Sequence, residues 1–192
     1  MRAKNYYLSV ELFGGALPEQ EWGKKVEISL GGLVRRAATP PWKGKLLYLI
    51  ARETGAEKVL ELGTHVGIGT LYLHSALPRA AIHTVEASPA LAAQSKRHFR
   101  LFGFKPFCYV GTFREVLPRL EGVWDLIYLD GDHRGEAFFE YASWSYDHLV
   151  VGGMLVCDDI FWSRDMYEGW KRVSTLNWAK QRVIGPFGIL QR

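Results

Sequence analysis

Acidic residues recur in this sequence where short apolar segments end. In the stretch WDLIYLDGDHRG, residues 124–135, an apolar run is followed by Asp130 and His133. Asp158 and Asp159 follow another apolar run in the same way. Carboxylates accept hydrogen bonds from hydroxyl groups and attract cations, and an imidazole exchanges protons near neutral pH. Such side chains at the ends of buried segments are typical of a binding or catalytic site.

A glycine-rich loop indicates the kind of ligand. The loop GTHVGIG, residues 63–69, lacks the G-x-G-x-x-G spacing of a dinucleotide site and the lysine of a phosphate-binding loop. Glu61 lies beside this loop, where a carboxylate suits a ligand with a cationic end. Glu86 ends the next apolar segment, where an acid can accept both hydroxyls of a ribose. These features predict a positively charged nucleoside without phosphates, and S-adenosylmethionine fits that description.

The segments that carry these residues alternate between two patterns. Short apolar runs predict strands, and apolar stripes with helical spacing predict helices between them. Ser88 and Pro89 are typical of the start of a helix that Gly103 ends. The predicted strands are 58–62, 81–86, 107–110, 124–130 and 154–159. The predicted helices are 42–55, 68–77, 88–103, 114–120, 135–153 and 163–176.

This alternation predicts an α/β fold: a doubly wound, Rossmann-like, mainly parallel sheet of seven strands with helices on both faces. Residues 181–185 and 187–191, separated by Pro186, have no helix between them and predict an antiparallel hairpin at one edge. In such a sheet, ligands bind beyond the carboxyl ends of the strands. We therefore expect the acidic residues and the glycine loop to meet at one edge.

The composition favours a single domain over residues 1–192, since 48% of the residues are hydrophobic. We expect a helical or lid segment over 1–42 and a cofactor-binding core over 43–192. No apolar run has the length of a signal peptide or a membrane span, so a cytoplasmic location without a membrane partner is expected. The net charge of +4 is mild and does not require a nucleic-acid partner.

Four motifs carry a family resemblance: VLELGTHVGIGTLYL, HTVEASP, LDGDH and GGMLVCDDI. They resemble the class I S-adenosylmethionine-dependent methyltransferases, above all the small O-methyltransferases related to catechol and caffeoyl-CoA O-methyltransferases. The resemblance covers about residues 45–192, with the motifs in the same order. It implies methyl transfer from S-adenosylmethionine to a hydroxyl of a small molecule, assisted by a divalent metal such as Mg²⁺. It also implies a homodimer.

By position, the resemblance places the cofactor along the strand ends. Glu61, Gly63 and Gly67 are expected to border its methionine part, and Glu86 to hold its ribose hydroxyls. The adenine is expected between the residues that follow the second and third strands. The implied cofactor-binding residues are Glu61, Gly63, Thr64, Gly67, Glu86, Ala87, Gly111, Thr112, Phe113, Asp130 and Gly131.

The resemblance also implies a metal site and a base. Asp130, Asp158 and Asp159 match the metal-binding positions, and carboxylates suit Mg²⁺. The family's general base is a lysine three residues after the first metal-binding aspartate, and here that position is His133. An imidazole with a pKa of ~6.5 can accept a proton at neutral pH. The implied catalytic residues are therefore His133 and Asp130.

Two alternatives stay open at this stage. The first is a metal-independent N- or O-methyltransferase with His133 as the base. The second is a non-catalytic module that only binds S-adenosylmethionine. Three tryptophans, Trp42, Trp162 and Trp170, either line an acceptor pocket or pack in the core.

Overall fold

A computed structural model of the chain describes residues 6–13 and 19–192. Residues 1–5 and 14–18 of the predicted N-terminal segment lie outside the described residues. The strands are β1 (Tyr7–Glu11), β2 (Lys25–Ser29), β3 (Lys58–Leu62), β4 (Ala81–Glu86), β5 (Phe107–Val110), β6 (Trp124–Leu129), β7 (Leu149–Cys157), β8 (Lys180–Ile184) and β9 (Phe187–Gln191). The helices are α1 (Leu30–Ala37), α2 (Pro41–Thr54), α3 (Ile68–Ala76), α4 (Pro89–Leu101), α5 (Phe113–Val116), α6 (Gly135–His148) and α7 (Arg164–Ser174).

The main sheet has seven strands in the order β5-β4-β3-β6-β7-β9-β8. Strands β3 to β7 pair in parallel, whereas β9 pairs antiparallel with both β7 and β8. The predicted doubly wound sheet with an antiparallel C-terminal hairpin is therefore confirmed. The strand order changes direction between β3 and β6, and the crevice above such a switch point is where this class of fold binds ligands.

Helices cover both faces of the main sheet. Because both faces are covered, the central strands read as continuous apolar runs, without alternation. On one face α2, α3 and α4 supply buried side chains that include Leu47, Ile50, Leu73 and Phe99. On the other face α5, α6 and α7 supply buried side chains that include Phe113, Phe138, Met166 and Trp170. This core fixes the strand ends that carry the acidic residues.

The prediction of helix over 135–153 is wrong beyond His148. The chain enters β7 at Leu149, which pairs with Trp124 across a register shift in the ladder. Val150 and Val151 follow, and branched residues favour a strand over a helix. The strand predicted over 154–159 consequently begins earlier and ends at Cys157, so that Asp158 and Asp159 follow it.

The predicted helical character of residues 1–42 is only partly correct. Strands β1 and β2 form a separate antiparallel pair, and α1 follows β2 directly. The alternation of charged and apolar residues in KVEIS, residues 25–29, explains the strand. Val10 of β1 packs with Leu91 of α4 in a small buried cluster. Within residues 6–13 and 19–192, no helix combines the length and the apolar character needed to cross a membrane.

Candidate active site

A cavity of about 590 Å³ opens at the carboxyl ends of the central strands. Its volume is typical of small-molecule sites, which span roughly 300–1,000 Å³. Most of the predicted cofactor-binding residues line it, and they are Gly63, Thr64, Glu86, Ala87, Thr112, Phe113, Asp130 and Gly131. These residues therefore lie together at the strand ends, as expected from the sequence.

Gly63 joins the glycine loop to the end of β6. Its φ of +111° is rarely adopted by residues with side chains, and a Cβ here would lie 1.9 Å from the carbonyl oxygen of Asp130. Only glycine permits this approach of the two backbones. The contact holds the loop after β3 against the loop that begins at Asp130.

Glu86 presents a buried carboxylate to the cavity. It accepts hydrogen bonds from the backbone N–H groups of His65, at 2.7 Å, and Ser88, at 2.9 Å. Burial raises the pKa of Glu86 to about 7, although these backbone hydrogen bonds favour the charged form. Each carboxylate oxygen has a further lone pair, so the geometry fits a ligand with two neighbouring hydroxyls.

Glu61 lies beneath the cavity and does not line it. Its Oε2 atom accepts hydrogen bonds from the hydroxyls of Thr70, at 2.5 Å, and Thr84, at 2.6 Å. Its Oε1 atom is buried and has no hydrogen-bond partner among the described residues. A Cβ at Gly69, which does line the cavity, would lie 2.8 Å from Oε1. Burial raises the pKa of Glu61 to about 8.

Two other predicted cofactor residues have structural surroundings. A Cβ at Gly67 would lie 2.6 Å from the ring of Phe99, so this glycine allows the loop to pack on α4. Gly111 donates its N–H to the carbonyl of Glu86 at 3.0 Å and has a φ of +144°. Neither glycine lines the cavity.

Asp130, His133 and Asp159 converge beyond the ends of β6 and β7. The Nε2 atom of His133 lies 3.8 Å from Oδ1 of Asp130 and 3.8 Å from Oδ2 of Asp159. One potential ligand atom from each residue lies within 4.8 Å of the other two. The Nε2 atom is buried and has no hydrogen-bond partner in the part of the chain that the structure describes. Burial lowers the pKa of His133, so the neutral imidazole is favoured.

Asp158, the third predicted metal ligand, is not among the three residues whose ligand atoms converge. It is 1% exposed, and its Oδ2 atom accepts a hydrogen bond from the hydroxyl of Tyr128 at 2.5 Å. Its Oδ1 atom accepts the backbone N–H of Asp159 at 2.7 Å. Burial raises the pKa of Asp158 to about 8. The structure thus places His133 with Asp130 and Asp159 where the sequence predicted Asp158.

Lys43 is a site residue that the sequence pattern did not reveal to us. Its Nζ atom lies 2.9 Å from Oδ1 of Asp158 and 2.9 Å from Oδ1 of Asp159. Burial lowers the pKa of Lys43, but the charges of Asp158 and Asp130 outweigh this and raise it above its ordinary value. A signal was present in the sequence, because Lys43 lies on the same stripe of α2 as the buried Leu47 and Ile50.

Aromatic side chains border the cavity above these polar groups. Trp42 and Trp162 both line it, with 60% and 61% of their surfaces exposed, and the Trp162 ring centroid lies 5.8 Å from that of His133. Trp170, in contrast, is buried in the core, where a Cβ at Gly188 would contact its ring. Trp42 and Trp162 are therefore available to an acceptor, and Trp170 is a packing residue.

The N-terminal segment reaches the cavity through Trp22. The guanidinium of Arg134 lies 4.8 Å from the centre of the Trp22 ring. The same guanidinium donates to both carboxylate oxygens of Asp132, at 2.6 Å and 2.7 Å. Asp132 has a φ of +53° and is 4% exposed. Asp132 and Arg134 therefore fix the loop that carries His133 and hold the N-terminal segment over it.

Comparison with known proteins places the chain in a family. A family model described as a methyltransferase domain matches residues 60–160. A catechol O-methyltransferase of Niastella koreensis is 30% identical over 127 residues, which are 62% of this chain and 57% of that protein. A catechol O-methyltransferase of Mycobacterium tuberculosis is 30% identical over 129 residues, which are 65% of this chain and 58% of that protein. The match thus spans less than two thirds of these relatives' own length.

Solved structures show the same fold. The O-methyltransferase TomG of Streptomyces achromogenes, in complex with SAM, has a TM-score of 0.68 at 23% identity, covering 84% of this chain and 82% of its own. An O-methyltransferase of Bacillus cereus, in complex with SAH, has a TM-score of 0.66 at 21% identity, covering 80% of this chain and 82% of its own. With the family model matched over more than half of its length, this chain belongs to the methyltransferase-domain family.

Proposed function

We propose that the protein transfers a methyl group from S-adenosylmethionine to a hydroxyl of a small molecule, assisted by a divalent metal ion. One observation carries this proposal: a single cavity joins the buried carboxylate of Glu86 to the convergent Asp130, His133 and Asp159. The first part fits a nucleoside and the second fits a cation. The family membership and the relatives named catechol O-methyltransferases support the same function.

The residues after β3, β4 and β5 would hold the cofactor. Glu86 would accept the ribose hydroxyls, and Ala87, Thr112 and Phe113 lie where the adenine is expected. The unpartnered Oε1 atom of Glu61 favours a ligand with a positive charge above it. When bound, S-adenosylmethionine supplies the methyl group and the sulfonium charge. The protein's part is to align this methyl with the acceptor oxygen and to exclude water.

The residues after β6 and β7 would hold the cation and the acceptor hydroxyl. Asp130, His133 and Asp159 offer two oxygens and one nitrogen, a donor set that fits a divalent metal ion. A cation bound there lowers the pKa of a coordinated hydroxyl and orients it. Trp42 and Trp162 stand at the same part of the cavity and would position the body of the acceptor.

A second candidate is metal-independent methyl transfer with His133 as the base. The ammonium of Lys43 favours it, because this cation already neutralises part of the charge on Asp158 and Asp159. The neutral His133 imidazole would then accept the proton of the acceptor hydroxyl at Nε2. Asp130, whose Oδ1 atom is 3.8 Å away, would stabilise the resulting imidazolium.

Two measurements test these candidates. Calorimetric titration with S-adenosylhomocysteine should show binding to the wild type and its loss in Glu86→Ala. Transfer of a labelled methyl group to a panel of catechols and simple phenols should stop with a chelator and recover with added divalent metal. Turnover that ignores the chelator would favour His133 as the base. Tight binding of S-adenosylhomocysteine without methyl transfer to any acceptor would indicate a non-catalytic module. Absence of S-adenosylhomocysteine binding would contradict both candidates.

Several predictions made from the sequence remain predictions. They are the cytoplasmic location, the homodimer, the absence of a nucleic-acid partner and the division of the chain between residues 42 and 43. Sedimentation of the purified protein would test the homodimer directly.

A further inference from the structure

We propose that Lys43 withholds Asp158 from the cation site and leaves His133 as the third protein ligand, so that the site favours a first-row transition ion over Mg²⁺. The ligand set would be Oδ1 of Asp130, Nε2 of His133 and Oδ2 of Asp159. This inference rests on the proposed cation-assisted function and names the cation class of that same site.

Both carboxylate oxygens of Asp158 already have hydrogen-bond or ion-pair partners. Oδ1 is paired with the Lys43 ammonium at 2.9 Å and accepts the backbone N–H of Asp159. Oδ2 accepts the hydroxyl of Tyr128. Because Asp158 is 1% exposed, its carboxylate could reach a cation only by giving up at least one of these donors.

The carboxylates of Asp130 and Asp159 each use one oxygen to accept a hydrogen bond and turn the other toward His133. Asp159 gives Oδ1 to Lys43, at 2.9 Å, and turns Oδ2 toward His133. Asp130 receives the Tyr128 hydroxyl on Oδ2, at 3.0 Å, and turns Oδ1 toward His133. Lys43 and Tyr128 thus fix which oxygen atoms face the site, and Lys43 acts as a positioning residue.

His133 turns a buried ring nitrogen toward Asp130 and Asp159. Its Nε2 atom lies 3.8 Å from Oδ1 of Asp130 and 3.8 Å from Oδ2 of Asp159, and it is buried without a hydrogen-bond partner among the residues described. Leaving such an atom unpaired is costly, and a metal ion would satisfy it. Metal–ligand bonds of ~2.0–2.2 Å separate ligand atoms by at most ~4.4 Å, so both 3.8 Å distances fit.

The carboxylates at this site outnumber the positively charged side chain beside them. With a cation bound, the ionised forms of Asp130, Asp158 and Asp159 would be favoured and carry three negative charges, and Lys43 supplies one positive charge beside them. A divalent cation balances the net negative charge that remains, and burying that charge without a counter-ion would cost free energy. An imidazole ligand suits transition ions such as Co²⁺ and Zn²⁺, whereas Mg²⁺ prefers oxygen ligands alone.

Pulsed electron paramagnetic resonance on the Mn²⁺-loaded protein tests the ligand set. We expect coupling to an imidazole nitrogen in the wild type and its loss in His133→Asp, which substitutes oxygen for nitrogen. In calorimetric titrations, His133→Asp should lower the ratio of Co²⁺ to Mg²⁺ affinity about 10–100-fold, because oxygen replaces nitrogen in the ligand set. A wild-type spectrum without nitrogen coupling, or a Co²⁺-to-Mg²⁺ affinity ratio that is the same in both proteins, would overturn the proposal.

Lys43→Met tests the positioning role. Loss of the ammonium should release Asp158 to the cation, so that Mg²⁺ binding tightens and the Co²⁺-to-Mg²⁺ affinity ratio falls, since Mg²⁺ prefers oxygen ligands. Lys43→Arg keeps the charge and should leave this ratio near that of the wild type. Circular dichroism and S-adenosylhomocysteine binding establish that each variant is folded, and Lys43→Gln replaces Lys43→Met if the latter is not. An unchanged ratio in a folded neutral variant would contradict the role of Lys43.

These titrations need neither an acceptor nor turnover. A nitrogen-liganded cation in a protein that methylates no acceptor would therefore contradict the proposed function and leave this inference standing. Methyl transfer by a protein that binds no divalent cation would overturn this inference and support the metal-independent candidate.

Discussion

The two halves of the ligand-binding edge bury acidic groups in different ways. At the ends of β3 and β4, Glu61 and Glu86 are held by neutral donors: threonine hydroxyls and backbone N–H groups. At the ends of β6 and β7, Asp158 and Asp159 are both paired with the charged ammonium of Lys43. The first half is suited to an organic ligand that donates hydrogen bonds and carries its positive charge near Glu61, and the second to a metal cation.

The two halves also differ in where their partners come from. Glu86 is bound by the N–H of Ser88, two residues away, and that of His65 in the neighbouring loop. The partner of Asp159 is Lys43, 116 residues earlier in the chain. The cofactor half is therefore built largely from the strand ends themselves, whereas the cation half depends on correct docking of α2.

The largest effect is expected where the two halves touch, in Gly63→Ala. The new Cβ would lie 1.9 Å from the carbonyl oxygen of Asp130, and a φ of +111° is unfavourable for alanine. We expect the free energy of unfolding to fall by about 4 kcal/mol or more, because strain and overpacking add. Urea denaturation measures it.

Gly55→Ala is the matched control for this substitution. Gly55 also has a positive φ, of +62°, but no described atom lies within 4 Å of its ideal Cβ. Gly55→Ala should lower the free energy of unfolding by only about 1 kcal/mol, because alanine is disfavoured in the left-handed conformation. Equal costs at the two positions would show that the contact between the two halves is unimportant.

Glu86→Ala tests whether the cofactor binds to the first half alone. Loss of two hydrogen bonds from a ribose to a carboxylate should weaken S-adenosylhomocysteine binding about 100-fold, or about 3 kcal/mol. Asp159→Asn removes a charge from the other half and should change this affinity less than about threefold. Isothermal titration calorimetry of both variants makes the comparison. A large loss of S-adenosylhomocysteine affinity in Asp159→Asn would mean that the halves are not independent.

The cofactor half has local partners and the cation half has distant ones, and this difference explains which features could be predicted from the sequence. The strands over 58–62, 81–86 and 107–110 are confirmed to the residue, and their ends meet because parallel strands share a polarity. Periodicity and caps are local signals, so they locate elements well. The boundary between α6 and β7 was missed because pairing of Leu149 with Trp124 outweighs the helical pattern.

The cation half could be predicted only in part. Asp158 and Asp159 are adjacent in sequence, yet the φ of +52° at Asp159 directs them to different surroundings. Sequence spacing does not report that backbone turn. Lys43 was missed because its partners are distant, although its place on the buried stripe of α2 marks it as a charge needing a partner.

Glu61→Gln should reveal the cost of burying an acid among neutral donors. The pKa of Glu61 is about 8 in the folded protein and near 4.5 when exposed. Between these values the unfolded chain has lost a proton that the folded chain keeps. The free energy of unfolding therefore falls as pH rises through this window, by about 1.4 kcal/mol per pH unit from this group.

Glutamine does not titrate, so Glu61→Gln should gain stability relative to the wild type as pH rises from 5.5 to 7.5. Urea denaturation without cofactor, at intervals of one pH unit, measures the difference between the two proteins. Glu53→Gln, on the exposed side of α2, is the control for replacing a glutamate by a glutamine. A constant difference for Glu61→Gln would contradict burial as the cause of its raised pKa.

Tyr128→Phe should produce the smallest effect and test the other half. The hydroxyl of Tyr128 is shared between Oδ2 of Asp130 and Oδ2 of Asp158, and phenylalanine fills the same space without it. We expect a loss of about 1–2 kcal/mol in the free energy of unfolding with a chelator present. Because the carboxylates then lack a donor, a divalent cation should bind the variant more tightly and reduce this deficit. S-adenosylhomocysteine, which belongs to the other half, should leave the deficit unchanged. A deficit that S-adenosylhomocysteine reduces and Co²⁺ does not would reverse the assignment of the two halves.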